Sequence, residues 1–266
     1  MNLTINALAR LIAVLAIVVM DTAWATDKPR LVVCYDNYPP SAMIPTPTDP
    51  RLGFIVDMVA DIYTAQGYQV EFVTIPYARS IKAVEEGDCH ITPLVNPSVN
   101  NVVLFPKQPS FSYTQVFFVK KTNPWRYVNA DSLKQLSAIA TIVGYEYKME
   151  PAYDQYLQDP NNQTKINVVT GIQAIEQVFR MILAGRVDTF NEAFLTGSYL
   201  AKEKGFSDHL DIAGTFAKPL ILKPAFSPKL KDVQKIMANW DAGRLQIQRS
   251  GKEKAYLAKY GINNIP

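Results

Sequence analysis

"GFIVDMVADIYTAQGYQVEFVTIPYARSIKAVEEGDCHITPLV", residues 53 to 95, decides the fold. Ile55, Met58, Val59 and Ile62 recur at helical spacing and place one apolar face on a helix that stops at Gly67. "YQVEFVTI" then alternates apolar and polar residues as a half-buried strand does. "YARSIKAVEEG" repeats the helical grammar with Ile81 and Val84 before Gly87, and "CHITPLV" is a short apolar strand. Helices alternating with strands in this way predict a mostly parallel sheet with helices packed on its faces.

Upstream, residues 30 to 36 form a β-branched apolar run closed by "DNYPPS", whose Asp, Asn and prolines end a strand and open a loop reaching Pro50. Downstream, "YTQVFFVKK" (113 to 121) reads as a longer strand with no helix before it. The same grammar then restarts: "DSLKQL" as a capped helical turn, "SAIATIVG" as a strand, "MEPAYDQYL" as a helix, "KINVVT" as a strand. "GIQAIEQVFRMILAG" follows as an amphipathic helix with Ile172, Ile175, Val178, Phe179, Ile182 and Leu183 on its stripe, and "RVDTFNEA" as a strand. "KPLILKPAFS" is extended, and residues 227 to 251 form a helix expected to break near Gly243 before the tail helix "KEKAYLAKYG". Two successive α/β units imply two lobes with a cleft between them.

The N-terminus is set apart from this scheme. Arg10 precedes the apolar run "LIAVLAIVVM" (11 to 20), and Ala23-Trp24-Ala25 supplies small residues at the cleavage positions, so residues 1 to 25 are expected to be a secretory signal peptide. Ten apolar residues fall well short of the ~20 that span a bilayer, and no cysteine follows the cleavage site to take a lipid, so export to the periplasm without an anchor is expected. The full chain has 27 Lys+Arg against 24 Asp+Glu; losing Arg10 and Asp21 leaves the balance at +3. So small an excess favours neither nucleic acid nor a membrane surface as partner.

Two cysteines in an exported chain invite a disulfide, the alternative being two buried thiols. With Cys34 late in one strand and Cys89 at the start of a parallel neighbour, they would lie several rises of about 3.3 Å apart. That exceeds the roughly 4.4 to 6.8 Å between the Cα atoms of a bridge, so the geometry disfavours one.

The order of these segments, with "VFFVKK", "IQAIEQVFRMILAGRVD" and "KPAFSPK", resembles the polar amino-acid class of periplasmic solute-binding proteins that serve ABC importers. The resemblance covers most of the mature chain. It implies the type II periplasmic-binding fold: two α/β lobes joined by two crossover segments, here "TQVFFVKK" and "LILKPAF", with the ligand in the cleft. Lobe one would comprise residues 27 to 116 plus 224 to 266, and lobe two 117 to 223. The strand ends of open α/β sheets are where ligands bind.

The resemblance also implies site residues. After the first strand, Asp36 and Tyr38 match the positions that line the cleft, although Asp36 reads equally well as a turn residue holding local backbone groups. Tyr77 of "IPYARS" matches a cleft aromatic; Arg79, two residues on, either joins it or pairs with a surface acid such as Glu86. Amino-acid binders of this kind carry Thr-x-x-Arg at the next loop, where hydroxyl and guanidinium clamp a carboxylate. Here Asn96, Pro97, Ser98 and Val99 stand there, so the arginine is lost while Asn96 and Ser98 still offer hydrogen bonds. In the second lobe, Gly144 and Tyr145 of "IVGYEY" and Asn191 and Glu192 of "VDTFNEA" match ligand-contacting positions, with Glu192 in the place of the acid that receives an ammonium.

An acid with several tyrosines and no carboxylate clamp suits an amino-bearing, cationic or aromatic solute. The expected partners are that solute and the membrane permease of an importer, the protein itself being a monomer, with no cofactor and no metal. A periplasmic sensor for a membrane receptor and a same-fold enzyme such as a dehydratase are the alternatives. An enzyme would need a positioned acid/base pair among Glu192, Asp36 and the two histidines. His90 at a strand start lies far from the cleft end and His209 in a polar connector, so neither reads as catalytic and no enzyme is expected. The sequence has no G-x-S-x-G, no metal-spaced His/Cys cluster and no phosphate loop.

Overall fold

The computed structural model describes residues 28–99, 101–171 and 173–262, without the side chain of Val99. The expected signal peptide and Ile172 of the expected helical stripe therefore lie outside the described residues.

In the first sheet, β1 (Arg30–Tyr35) lies between β2 (Gln69–Thr74) and β3 (Ile91–Val95), both parallel to it, and β10 (Leu220–Phe226) and β4 (Phe111–Tyr113) complete the order β2-β1-β3-β10-β4. The second sheet repeats the plan in the order β7-β6-β8-β5-β9: β7 (Ile166–Val169), β6 (Ile139–Ile142), β8 (Thr189–Ala193), β5 (Gln115–Lys120) and β9 (Leu210–Thr215). Antiparallel pairing enters each sheet through the strand next to a crossing, β10 in the first and β5 in the second. The sheets are consequently half parallel and half antiparallel, with the parallel strands on the side where helices cross over.

The stretch that reads as one strand at 113 to 121 is two. β4 ends at Tyr113 in the first sheet and β5 begins at Gln115 in the second, so the chain changes sheet at Thr114. It returns between Thr215 and Leu220, and β10 pairs wholly within the first sheet.

The helices follow their apolar spacing. α1 (Phe54–Thr64) buries the expected Ile55, Met58, Val59 and Ile62 together with Phe54, Val56 and Tyr63. Helix α2 (Tyr77–Glu86) ends on Gly87 in the left-handed region at φ 87°, a conformation glycine adopts without penalty. In the second lobe, α3 (Pro151–Gln158) and α4 (Ala174–Leu183) take the expected places, and α4 buries Ile175, Val178, Phe179 and Ile182. α5 (Phe194–Glu203) was not legible in "FLTGSYLAKE", whose apolar residues follow no sustained helical period; Gly197 within it lets the helix settle on Phe118. β9 likewise was not foreseen.

No break occurs at Gly243: α6 (Val233–Ser250) runs through it and α7 (Lys252–Lys259) follows. A Cβ at Gly243 would meet Cγ1 and Cγ2 of Ile62 at 2.7 and 2.8 Å, so the glycine lets α6 lie close on α1. Beside it Trp240 is fully buried and donates from Nε1 to the Gln108 carbonyl at 3.0 Å. The second lobe builds an aromatic core instead, with Trp125, Tyr127, Tyr153 and Phe216 grouped around Phe117, and Trp125 donating to the Ser132 carbonyl at 2.9 Å.

Cys34 and Cys89 form a disulfide with Cα atoms 5.9 Å apart, contrary to the sequence expectation. The strand does not begin at Cys89; residues 88 to 90 bend and β3 starts at Ile91. His90 clips this bend to β1, its backbone N–H donating to the Val32 carbonyl at 2.8 Å and its Nδ1 accepting from the Val32 N–H at 3.0 Å. The bend folds Cys89 back over Cys34, so counting rises along two straight strands overstated their separation.

Closing a loop across 55 residues of sequence separation is worth about 4 kcal/mol in chain entropy. Replacing both cysteines (Cys34→Ala with Cys89→Ala) is expected to lower the unfolding free energy by roughly 2–4 kcal/mol in urea titrations against the oxidised chain. Gly243→Ala, although favoured by helix propensity, is expected to cost about 1–3 kcal/mol because branched Ile62 cannot retreat cheaply. A raised melting temperature in that variant would contradict the close approach of α6 and α1.

Candidate functional site

The carboxyl ends of the parallel strands of both sheets face one another across a cavity of about 570 Å³. Its wall takes Asp36 and Tyr38 from the loop after β1, Tyr77 and Arg79 from the first turn of α2, and Asn96 from the end of β3. Gly144 and Tyr145 come from the loop after β6, and Glu192 from the end of β8. Eight of the ten residues singled out from sequence thus meet at one cavity, as strand-end geometry in α/β sheets dictates.

Glu192 is 1 % exposed, and among the described residues no cation pairs with it. Three donors hold it: Tyr38 Oη reaches Oε1 at 3.0 Å, the Ala193 N–H reaches Oε1 at 2.7 Å, and Tyr145 Oη reaches Oε2 at 2.9 Å. Burial raises its pKa from the ordinary 4.5 to about 7, with the three hydrogen bonds pulling the other way. Tyr38 and Tyr145 are pushed well above 10, first by burial and then by the neighbouring Glu192 charge, so both act here as neutral donors. Tyr38 belongs to the first sheet's loop and Glu192 to the second sheet, so this bond joins the lobes. Lys148 Nζ to the Ser98 carbonyl at 3.0 Å and Arg51 Nη2 to Tyr199 Oη at 3.3 Å cross between them as well.

The remaining residues divide clearly. Asp36 follows the turn reading, since Oδ1 accepts from the Asn37 N–H at 2.7 Å and Oδ2 from the Tyr77 N–H at 2.8 Å; it also fixes the start of α2. Asn96 lines the wall, but its Oδ1 accepts from the Ser98 N–H at 3.1 Å and Ser98 Oγ at 2.9 Å, capping the short 3-10 turn Pro97–Val99. Ser98 is exposed and stands off the cavity wall.

Asn191 also stands off the wall. It is fully buried, opposite Phe117 across the β5–β8 ladder, and neither Nδ2 nor Oδ1 has a hydrogen-bond partner among the described residues. Successive residues of a strand face opposite sides, so the step that points Glu192 at the cavity points Asn191 away. Arg79 is exposed at the rim and does not pair with Glu86, which faces Lys82 at 3.7 Å instead.

Several wall residues were missed from sequence. Gln115, Leu220 and Leu222 arrive on the strands beside the two crossings, a consequence of topology that periodicity does not show. Glu176 and Lys204 contribute as a pair at 2.8 Å. Among the described residues, no cluster of three or more His, Cys, Asp or Glu is placed to hold a metal ion, and no helix is long and apolar enough to cross a membrane.

Two α/β sheets with a cavity at their facing strand ends define a two-lobed binding protein. Residues 31–262 match the family model of bacterial extracellular solute-binding proteins, family 3, and the chain belongs to that family. It is a solute-binding protein of the extracytoplasmic kind. No curated protein matches the sequence. Among solved structures, an ancestral arginine-binding protein bound to arginine is similar at TM-score 0.70 and 17 % identity, over 88 % of this chain and 99 % of that one. A histidine kinase sensor domain with similarity to periplasmic binding proteins gives 0.70 and 18 %, over 88 % and 96 %. An ancestral amino acid-binding protein, a precursor of cyclohexadienyl dehydratase, gives 0.67 and 19 %, over 87 % and 95 %. At such identities these likenesses speak to the fold.

The raised pKa of Glu192 has a signed consequence. Between pH 4.5 and about 7 the folded carboxyl keeps a proton that the unfolded chain has released, so stability falls as pH rises through that window. Glu192→Gln is expected to remove this fall, gaining melting temperature over the wild type as pH rises toward about 7 and holding the gain above it. Parallel pH profiles for the two proteins would contradict the assignment.

Proposed function

We propose that this protein is a periplasmic binding protein that closes around a small solute bearing an amino or other cationic group and hands it to the permease of an ABC importer. The observation that carries the reading is Glu192, a buried carboxylate at the cavity whose side-chain partners among the described residues are tyrosine hydroxyls, with no fixed cation. Such a group gains most from a partner that brings a positive charge into the cavity. The charged side chains on the wall are Asp36, Glu146, Glu176 and Glu192 against Arg79 and Lys204, an acidic excess that favours a cation. Tyr38, Tyr77, Tyr145 and Tyr147 supply aromatic faces beside it.

The ligand set in this proposal is Tyr38, Tyr77, Arg79, Tyr145 and Glu192 in contact with the solute, with Asp36, Asn96 and Gly144 shaping the wall. The lobes are proposed to move about Thr114 and residues 216 to 219, a few residues from the boundaries drawn from sequence, closing as hinged domains do. Export through a cleaved signal peptide places the monomer in the periplasm. A sensor role would use the same cavity and closure; a permease and ATPase encoded beside the gene, as against a receptor kinase, separate the two. A same-fold acid/base enzyme would use the same Glu192, and turnover of a bound ligand seen by mass spectrometry would overrule the binding reading.

Thermal-shift screening against common amino acids, polyamines and aromatic amines is expected to single out amine-bearing compounds by mass action. Glu192→Gln should weaken such a ligand by more than tenfold with the fold intact, and calorimetry in buffers of different ionisation enthalpy should show proton release near pH 6. The affinity should rise with pH up to about 7, where Glu192 ionises, and level off above it. Affinity unchanged in Glu192→Gln would remove the carboxylate from the site.

A further inference from the structure

We infer that Arg79 is the anion anchor of this cavity, and that the solute is a linear molecule carrying its cation and its anion at opposite ends, an ω-amino carboxylate or a compound of the same charge layout. The inference rests on the amine-binding reading of Glu192 and adds the second half of the ligand.

The wall holds two cations, Arg79 and Lys204. Lys204 is committed: its Nζ lies 2.8 Å from Glu176 Oε2, and the other oxygen of Glu176 is held by Arg180 at 2.8 Å. Arg79 is not. Among the described residues its guanidinium has no hydrogen bond or ion pair, and its helical neighbours three and four positions on are Lys82 and Ala83, so its own helix offers it no acid at pairing positions. Asp36, the wall carboxylate bonded to the start of α2, has both oxygens on backbone N–H groups. An arginine with nothing to neutralise it beside a ligand cavity presents a planar fork suited to a carboxylate.

The root of that side chain is fixed. Asp36 holds the Tyr77 N–H at 2.8 Å, and buried Ser80 bonds to the Tyr77 carbonyl at 2.7 Å and shares a 3.2 Å hydrogen bond with Thr92, so the first turn of α2 is clamped to β3. Residue 99, where an arginine would serve an α-carboxylate, is valine.

Position then sets the ligand's shape. Glu192 is buried in the second lobe whereas Arg79 is exposed on the first, so the two charged groups sit at the base and the rim of the cavity. An α-amino acid carries both charges on one carbon, whereas an ω-amino acid presents them to groups at separate depths of the cavity. The volume of about 570 Å³ falls within the ~300–1,000 Å³ typical of cavities for drug-sized ligands, and Leu94, Ile142 and Leu222 line it with apolar surface for a methylene chain.

Calorimetry on the exported chain tests this with glycine, β-alanine, γ-aminobutyrate, δ-aminovalerate and ε-aminocaproate, each beside the alkylamine of matching length, on wild type and Arg79→Gln. The expected result is that the longer ω-amino acids bind at least tenfold more tightly than their alkylamines and than glycine. Arg79→Gln, an exposed change, should erase the gain from the carboxylate, bringing each ω-amino acid to the affinity of its matching alkylamine. A carboxylate gain that survives in Arg79→Gln, or an α-amino acid that outbinds the whole series, would overturn the inference. Alkylamines that bind through Glu192 with no gain from a distal carboxylate would overturn it too, leaving the amine-binding reading in place. Absence of binding by every amine would overturn both.

Discussion

A carboxylate taken out of water without a cation is tolerated only when hydrogen-bond donors surround it, and Glu192 imposes that condition on both halves of the molecule. Its own strand supplies one donor, the Ala193 N–H; the loop after β6 supplies Tyr145; the loop after β1 in the other sheet supplies Tyr38. Meeting the condition requires the two sheets to present their strand ends to each other at hydrogen-bond distance. It also makes the cavity base acidic and aromatic, because the donors that satisfy the acid are themselves tyrosines.

The chain path makes this meeting possible. Each passage between sheets takes only a few residues, at Thr114 and between Thr215 and Leu220, and the strands flanking them, β4 with β10 and β5 with β9, are paired neighbours. The two sheets are thus joined through two adjacent short connections, while Asp36 and the Cys34–Cys89 bridge tie down the first lobe just behind the wall it contributes.

How much of this was legible in sequence depended on the range of the signal. The apolar period of residues 54 to 64 and 77 to 86 reports local burial directly, and both helices appear where that period places them. Tyr38 and Glu192 were legible as residues at strand ends, although their bond to each other, 154 positions apart, was not. Asn191 shows the limit of reading by adjacency, because one step along a strand reverses the face. Ser98 faces solvent for a related reason: Asn96 turns back on it and spends its oxygen there. Gly243 and the cysteines were misread because their meaning lies in a distant partner, Ile62 for one and the His90 clip to Val32 for the other.

The two cores are built differently, and each encloses one indole. Trp240 of α6 is tied to the Gln108 carbonyl in the first lobe, and Trp125 sits in the aromatic group of the second; Trp24 lies outside the described residues. The described residues therefore carry one indole per lobe, Trp240 in an aliphatic and aromatic helix core and Trp125 against the Phe117 ring. Unfolding of either half can be followed optically without a dye, and the disulfide, present in one half alone, makes reducing agent a way to loosen the Trp240 signal while the Trp125 signal holds.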